Sequence, residues 1–307
     1  MQEPRISVVV PVYNGETFIV RAIESVLAQT WPAHEIIVVD DGSTDETPEL
    51  VARFGANVQY IRQDHEGVSA ARNRGVGVAT GDWIAFLDAD DWYYPQRLRR
   101  HAEWLIRDPD LSFLTGDYNY VRADGSYISR SMDRTESGRA MLSKAKGTLE
   151  VVMEREELGA FIADHFGDTH TLSVPRSTFL RIGGYPTGYP VCEDVYFLMR
   201  LCADSSRVGV ICEPLAAYVI HAGSATRKDS LQSQYDNVRA LEAMCQESRQ
   251  CPSGIRRGVY ARMRQARRNL GYALVRDGRR VAAARAVLPN VWNYPAGIRD
   301  VISMLLG

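Results

Sequence analysis

The first hundred residues alternate two patterns. Short apolar runs, ISVVVPV (6–12), EIIVVD (35–40) and WIAFLD (83–88), read as buried strands. Between the first two, Phe18, Ile19, Ala22, Ile23, Val26 and Leu27 recur with helical spacing and fall on one face. A weaker strand covers 57–61. Ser43 with Glu46 three residues later reads as a capping box opening a helix, Ser69 opens an Ala-rich helix, and Pro95 suits the first turn of another reaching about Ile106. Strand–helix alternation of this kind predicts an α/β protein, with a mostly parallel central sheet and helices on both faces.

The pattern changes after about residue 110. LSFLTGDYNYVRADGSYIS (111–129) predicts a hairpin turning at Asp124-Gly125. Residues 133–150 are polar and rich in Gly, Ser and Lys, which predicts a loop or lid. A helical stretch to about Phe166 follows, then a strand at 170–174, a turn at Gly183-Gly184, a helix from Glu193 and strands to His221. From about Leu231 the pattern is helical throughout. The chain therefore divides into 1–110, 111–228 and a helical region 229–307, with no internal repeat.

Composition changes this picture in one place. Hydrophobic residues make up 45% and charged residues 24% of 307, with a formal net charge of −2, which is ordinary for a soluble protein and excludes a polyelectrolyte binder. Between Arg249 and Arg285, however, stand eleven arginines and one acid, Asp277. Residues 254–288 read as two helices broken near Asp277-Gly278, with Leu270, Ala273, Leu274, Ala282, Ala286 and Val287 as apolar faces. Two readings remain open for this basic region. One is a helical appendage with a solvated face. The other is peripheral attraction to anionic lipid headgroups, with the apolar end Val301–Leu306 at the interface. Nucleic acid is not an expected partner, since no binding motif accompanies the arginines.

Five scattered cysteines, with no metal-finger spacing to the six histidines, read as reduced thiols. No signal peptide and no run of about 20 apolar residues is present, so the expected location is cytoplasmic, at most peripheral at the inner face of a membrane. A homodimer is compatible with the sequence.

Three polar clusters follow the expected strands: Pro11-Val12-Tyr13-Asn14-Gly15, Asp40-Asp41-Gly42-Ser43 and Asp88-Ala89-Asp90-Asp91. In an open parallel sheet, ligands bind beyond the carboxyl ends of the strands. Asp88 and Asp90, if on a strand, share one side and repel unless a cation lies between them, which suits Mg²⁺ or Mn²⁺ with substrate phosphates. The alternative is an acidic turn capping the helix at Pro95. No P-loop or dinucleotide fingerprint is present, so nucleotide phosphates would need metal and side chains such as Arg72. Tyr13 is placed to stack on a base and Asp40 to accept a hydrogen bond from an imide; each also suits an ordinary loop residue. Trp92 reads equally as an acceptor-pocket wall or as core.

Taken in order, VVVPVYNGE, IIVVDDGSTD, GVSAARNRG, WIAFLDADD and GGYPTGYPVCEDVYFLMRL resemble the family 2 glycosyltransferases of the GT-A (Rossmann-like) fold. The resemblance covers roughly residues 5–225. It implies an inverting, metal-dependent transfer of a sugar from a UDP- or dTDP-sugar to a saccharide or lipid-linked acceptor hydroxyl, in polysaccharide or glycan synthesis. Under it, Pro11 and Tyr13 contact the base, with Asn14, Asp41, Arg72 and Ala89 beside the donor. It also puts Asp40 at the base edge and Asp88 near ribose and metal. Asp90 becomes the principal metal ligand, joined by Asp88. The Glu193-Asp194 pair matches the catalytic carboxylates, with Asp194 as general base. VIHAGSATR (219–227) is similar to a His-containing segment that makes His221 a metal or diphosphate contact. Tyr185-Pro186-Thr187-Gly188 departs from the family pattern, leaving the acceptor side unread. The rival readings are a nucleotidyltransferase, which PVYNGETF fits poorly, and a non-catalytic sugar-nucleotide-binding protein.

Overall fold

The computed structural model of the chain describes residues 3–221, 231–290 and 297–306. Strand β1 (Ile6–Val12) and helix α1 (Ile19–Leu27) come first, followed by β2 (Glu35–Asp40), α2 (Thr47–Ala52), β3 (Gln59–Arg62), α3 (Val68–Val78) and β4 (Trp83–Phe86). The two-residue β5 (Trp92–Tyr93) leads into α4 (Arg97–Arg107), β6 (Phe113–Arg122) and β7 (Tyr127–Arg130). Next come α5 (Ser131–Arg134), α6 (Glu136–Ala145), β8 (Glu150–Glu154) and α7 (Leu158–Ala163). Strand β9 (Ser173–Pro175), α8 (Arg176–Arg181), α9 (Glu193–Ala203) and β10 (Arg207–Ile220) follow. Four further helices are described: α10 (Leu231–Glu247), α11 (Ser253–Arg276), α12 (Arg280–Val287) and α13 (Gly297–Leu306).

The ten described strands form one sheet in the order β3-β2-β1-β4-β9-β6-β10-β5, with β7 on β6 and β8 on β10. Strands β3, β2, β1 and β4 pair in parallel, as do β6 and β10, while β9 runs antiparallel between β4 and β6. The alternation of side chains along β1 explains its unbroken apolar run. Val9 packs in a cluster with Ile37, Val39 and the α3 residues Ala71 and Val76. Val8 and Val10 belong to a second cluster with Ala22, Ile23 and Val26 of α1.

Several local expectations change. Strand β4 stops at Phe86, and Asp88 to Asp91 form a turn in which the Asp91 N–H donates to the Asp88 carbonyl at 3.0 Å. The period-two argument for Asp88 and Asp90 therefore does not apply. Helix α2 begins at Thr47 without a side-chain cap, because the Ser43 hydroxyl is taken by the Asn14 N–H at 2.9 Å. The polar 133–150 stretch is no loop: Thr135 caps α6 through the Gly138 N–H, and Met141 and Ala145 turn inward to the core. Strand β8, within the expected helix before Phe166, adds antiparallel to β10 with Val151 and Met153 inward. The strand expected at 170–174 is a turn of 3₁₀-helix at Thr169–Thr171 followed by β9. The hairpin turns where expected, with Gly125 at φ +85°.

Helices α10 and α11 pack into the body. Leu241, Met244, Ile255, Val259 and Met263 share one core cluster with Phe161 of α7 and Phe197 of α9. Helices α7 and α11 meet at glycines: a Cβ on Gly258 would lie 2.1 Å from the Gly159 carbonyl oxygen, and one on Gly159 would lie 2.4 Å from that of Gly254. No larger residue fits without separating the backbones.

Candidate functional site

The carboxyl ends of β1, β2 and β4 open into a cleft of about 1080 Å³. Its first wall is two loops stitched together. The Asn14 N–H donates to Ser43 Oγ at 2.9 Å, the Gly15 N–H to Thr47 Oγ1 at 2.9 Å, and the Thr44 N–H to Asn14 Oδ1 at 2.8 Å. Asn14 holds a left-handed φ of 49°, which asparagine tolerates better than most residues. Tyr13 projects from this frame, 49% exposed, with its ring 4.1 Å from that of His65 and tilted 32°.

The paired acids after β2 have different places. Asp41 lines the cleft, its carboxylate receiving the Glu66 and Gly67 N–H groups at 2.9 and 2.8 Å. Asp40 does not line it: fully buried, it accepts the Ser43 N–H at 2.7 Å and the Tyr60 hydroxyl at 2.5 Å. Its local role is to brace the loop, because both oxygens already have donors.

At the β4 turn, Asp88, Ala89 and Asp90 face the cleft. His221 Nε2 lies 3.0 Å from Asp90 Oδ2. Burial, and then the neighbouring Asp88 charge, raises the Asp90 carboxyl above its ordinary range, with His221 opposing. Asp90 in contact with His221, and Asp88 two residues away and bound by Arg72, are oxygen and nitrogen donors of the kind that suit Mn²⁺ or Mg²⁺ at a cleft wall, although their ligand atoms do not converge in this structure. A second grouping, Asp88 with Asp91 and His170, has ligand atoms within 4.8 Å of one another. Asp91 and His170 are 2% and 0% exposed and stand away from the cleft lining. Asp91 instead accepts the Val219 N–H at 2.8 Å, fastening the turn to β10 just ahead of His221. The residues after His221 in VIHAGSATR lie outside the described residues.

Arg72, 4% exposed, joins this wall to the next. Its Nη2 donates to Asp88 at 2.6 Å, its Nη1 to Glu193 at 3.3 Å, and its guanidinium lies 4.8 Å from the Tyr185 ring centroid. Burial alone would lower the guanidinium; Asp88, Tyr185 and Glu193 outweigh it and hold it above its ordinary value. Asn73 beside it clamps the Tyr185 backbone, accepting its N–H at 2.9 Å and donating to its carbonyl at 2.8 Å. The departure at Tyr185 therefore has a physical account: the ring is buried, stacks on Phe197 at 4.3 Å and supports Arg72.

Glu193 and Asp194 open α9 immediately after Cys192, which sits at φ 68°. Both acids line the cleft, and Glu193 is raised by burial and then by Asp194, with Arg72 opposing. Asp168 joins them from the loop after α7. Ligand atoms of His165, Asp168 and Asp194 lie within 4.8 Å of one another. Burial, then the Asp194 charge, pushes Asp168 up to about 7. Ser233, Gln234 and Asn237 of α10 and Arg262 of α11 also line the cleft.

The structure thus gathers Pro11, Tyr13, Asn14, Asp41, Arg72, Asp88, Ala89, Asp90, Glu193, Asp194 and His221 around one cleft, and leaves Asp40 behind its wall. Trp92 lies outside the lining, with the Arg21 guanidinium 3.2 Å from its ring centroid. Sequence reasoning missed His65, His165, Asp168, Asn237 and Arg262. Asp168 alone carried a local signal, as part of the polar DTHT between Phe166 and Leu172.

Comparison with known proteins agrees with this architecture. The chain is 50% identical over 229 residues to the succinoglycan biosynthesis protein ExoO of Rhizobium meliloti, covering 73% of this chain and 63% of that protein. It spans about a fifth to two fifths of the first curated relatives it matches, uncharacterised glycosyltransferases of Rickettsia species and Escherichia coli. Among solved structures, S. aureus TarS in complex with UDP-GlcNAc superposes with a TM-score of 0.65 at 19% identity, over 88% of this chain and 71% of that one. The mannosyltransferase PcManGT of Pyrobaculum calidifontis, in complex with GDP-Man and Mn²⁺, superposes with a TM-score of 0.61 at 19% identity, over 99% and 84%. These structures share the GT-A fold. Residues 7–158 match the family described as glycosyl transferase family 2.

Proposed function

We propose that this chain transfers a sugar from a nucleoside diphosphate donor to a saccharide or lipid-linked hydroxyl, with inversion, in the synthesis of a cell-surface polysaccharide. The observation that carries this reading is the single cleft joining a ring platform, a two-carboxylate turn and a separate acid pair. Tyr13 and His65 offer a stacking surface for the base of the donor nucleotide. Asp88, Asp90 and His221 would hold Mn²⁺ or Mg²⁺, which supplies charge stabilisation to the departing diphosphate. Asp194 takes the proton of the acceptor hydroxyl as its oxygen attacks the anomeric carbon. The bond from that carbon to the diphosphate oxygen breaks, and its electron pair leaves with the diphosphate. Arg72 is placed to couple the two sides through Asp88 and Glu193.

The succinoglycan biosynthesis name of ExoO supports the polysaccharide assignment. Exposed Val281 and Arg285 of α12, with Leu288 at its end, follow one stripe, and exposed Ile298 and Ile302 lie one turn apart on α13, which supports peripheral contact with an anionic membrane. No described helix is long and apolar enough to cross one.

The direct test is a thermal-shift panel of UDP, dTDP, GDP and CMP, each with and without Mn²⁺. The expected result is stabilisation by one diphosphate, dependent on metal in the wild type and lost in Asp90→Ala. Absence of any shift with all four would overturn the donor assignment.

A further inference from the structure

Helix α11 carries a feature that a packed structural helix does not need. Gly254, Gly258 and Arg262 are spaced four residues apart and so share one helical face. The two glycines let that face approach Gly159 of α7 to backbone contact. One turn farther along α11, the Arg262 guanidinium arrives where α7 ends. There its Nη1 donates to His165 Nδ1 at 2.9 Å and lies 3.4 Å from the Ile162 carbonyl.

That contact dictates the state of His165. A guanidinium only donates, so Nδ1 must accept, and the ring proton must sit on Nε2. Burial, and then the Arg262 charge, lowers the imidazole to about 4, which keeps the ring neutral. His165 also groups with the Asp168 and Asp194 carboxylates, within 4.8 Å, on the side of the cleft where the acceptor proton must be removed. An imidazole whose Nδ1 is occupied by a fixed cation keeps Nε2–H as its one donor, and in this structure no hydrogen bond joins that ring to Asp168 or Asp194, so the donation would form on substrate binding.

We propose that Arg262 and His165 are a positioning pair for the acid end of the cleft, in which α11 fixes the His165 tautomer so that Nε2–H orients the Asp168–Asp194 carboxylates. The helical region is then a component of the reaction centre. This inference rests on the glycosyltransferase reading, in which Asp194 is the base. Both residues are placed to act through the carboxylates, His165 from outside the cleft lining and Arg262 from its edge. Asn237, which accepts from Cys192 Sγ at 2.9 Å just before Glu193, braces the same junction from α10.

The test uses the full chain and two readouts. The first is nucleoside diphosphate release from UDP-glucose, UDP-N-acetylglucosamine, dTDP-glucose and GDP-mannose with Mn²⁺ and water as acceptor, which exercises the base without an identified acceptor. Arg262→Met and His165→Leu should each lower kcat by roughly 10- to 100-fold, with donor KM within about twofold of wild type. His165→Asn should restore most of kcat, because its amide can accept from Arg262 and donate onward. The second readout is ¹⁵N-histidine NMR, where wild-type His165 should show the Nε2–H tautomer and Arg262→Met a mixture. Equal loss in His165→Asn and His165→Leu, or a rise in donor KM that accounts for the change, would overturn the positioning role. A His165 resonance in the Nδ1–H form would overturn the geometry. Failure of the wild type to release diphosphate from any donor would overturn the transferase reading itself and with it the catalytic role of the pair, whatever the NMR shows.

Discussion

The wall of the cleft made by β1, β2 and β4 and the wall made by Asp168, Asp194 and the C-terminal helices draw on the chain in different ways. The first is assembled from contiguous motifs. Each strand runs into its own functional loop, and the loops touch because the strands are neighbours: Val12 pairs with Asp40 across β1 and β2, and Val9 with Phe86 across β1 and β4. The second wall takes one or two residues from each of several distant elements. Asp168 follows α7, Asp194 opens α9, and Arg262 sits mid-way along α11, held in reach by glycines ninety-nine positions apart in Gly159 and Gly258. A strand end positions a group through sheet register, whereas a helix face does so through packing. The two walls should therefore respond differently to perturbation.

The sharpest break between them is expected at Asp194. Asp194→Asn should lower diphosphate release by about 10³-fold, as expected for loss of a general base. Nucleotide-dependent thermal stabilisation should stay at the wild-type level, since the first wall is untouched. A parallel loss of nucleotide binding would mean that the walls do not divide the labour in this way.

A smaller effect is expected from the packing that holds the second wall in place. Gly258→Leu drives a side chain into the Gly159 backbone and should cost about 1–3 kcal/mol, lowering Tm on the order of 5 °C. Diphosphate release should fall further than the remaining folded fraction explains, while added nucleotide and Mn²⁺ still stabilise the protein. A variant with wild-type Tm and activity would show that the close helix contact is dispensable.

The mildest change lies on the first wall. Tyr13→Ala removes a ring that is half exposed and rests on His65. Loss of base stacking, worth about 1–3 kcal/mol, should weaken nucleotide binding by roughly tenfold in calorimetric titration. The rate at saturating donor should be little altered. An unchanged Kd would place the base elsewhere in the cleft.

Legibility in the sequence follows the same division. The bounds of β1 and β2, the helix from Glu193 and the Asp124-Gly125 turn could be read directly, because hydrophobic period and turn chemistry are local signals. The misreadings arose where a tertiary partner outcompeted a local rule. Ser43 looked like a helix cap and became a loop staple for Asn14. Residues 133–150 looked like a polar lid, yet Met141 and Ala145 suffice to anchor α6 on the core. Asp40 and Asp41 are chemically identical neighbours, and only the alternating direction of side chains beyond β2 buries one behind Tyr60 and turns the other to the cleft.

By itself, the sequence determined the alternation of strands and helices in the parallel half of the sheet, since burial on both faces demands unbroken apolar runs. It also placed the polar loops at the strand ends, along with Asp88, Asp90, Arg72 and the Glu193-Asp194 pair. Only the tertiary structure decided that the β4 acids lie in a turn tied by Asp91 to β10, and that Arg72 bridges both acid groups. The same holds for the basic helices, which contribute Arg262 to the cleft. The reason is physical: a hydrophobic period constrains which face of an element is buried, but the residues that meet across that buried face are set by helix approach and strand register, which no local pattern encodes.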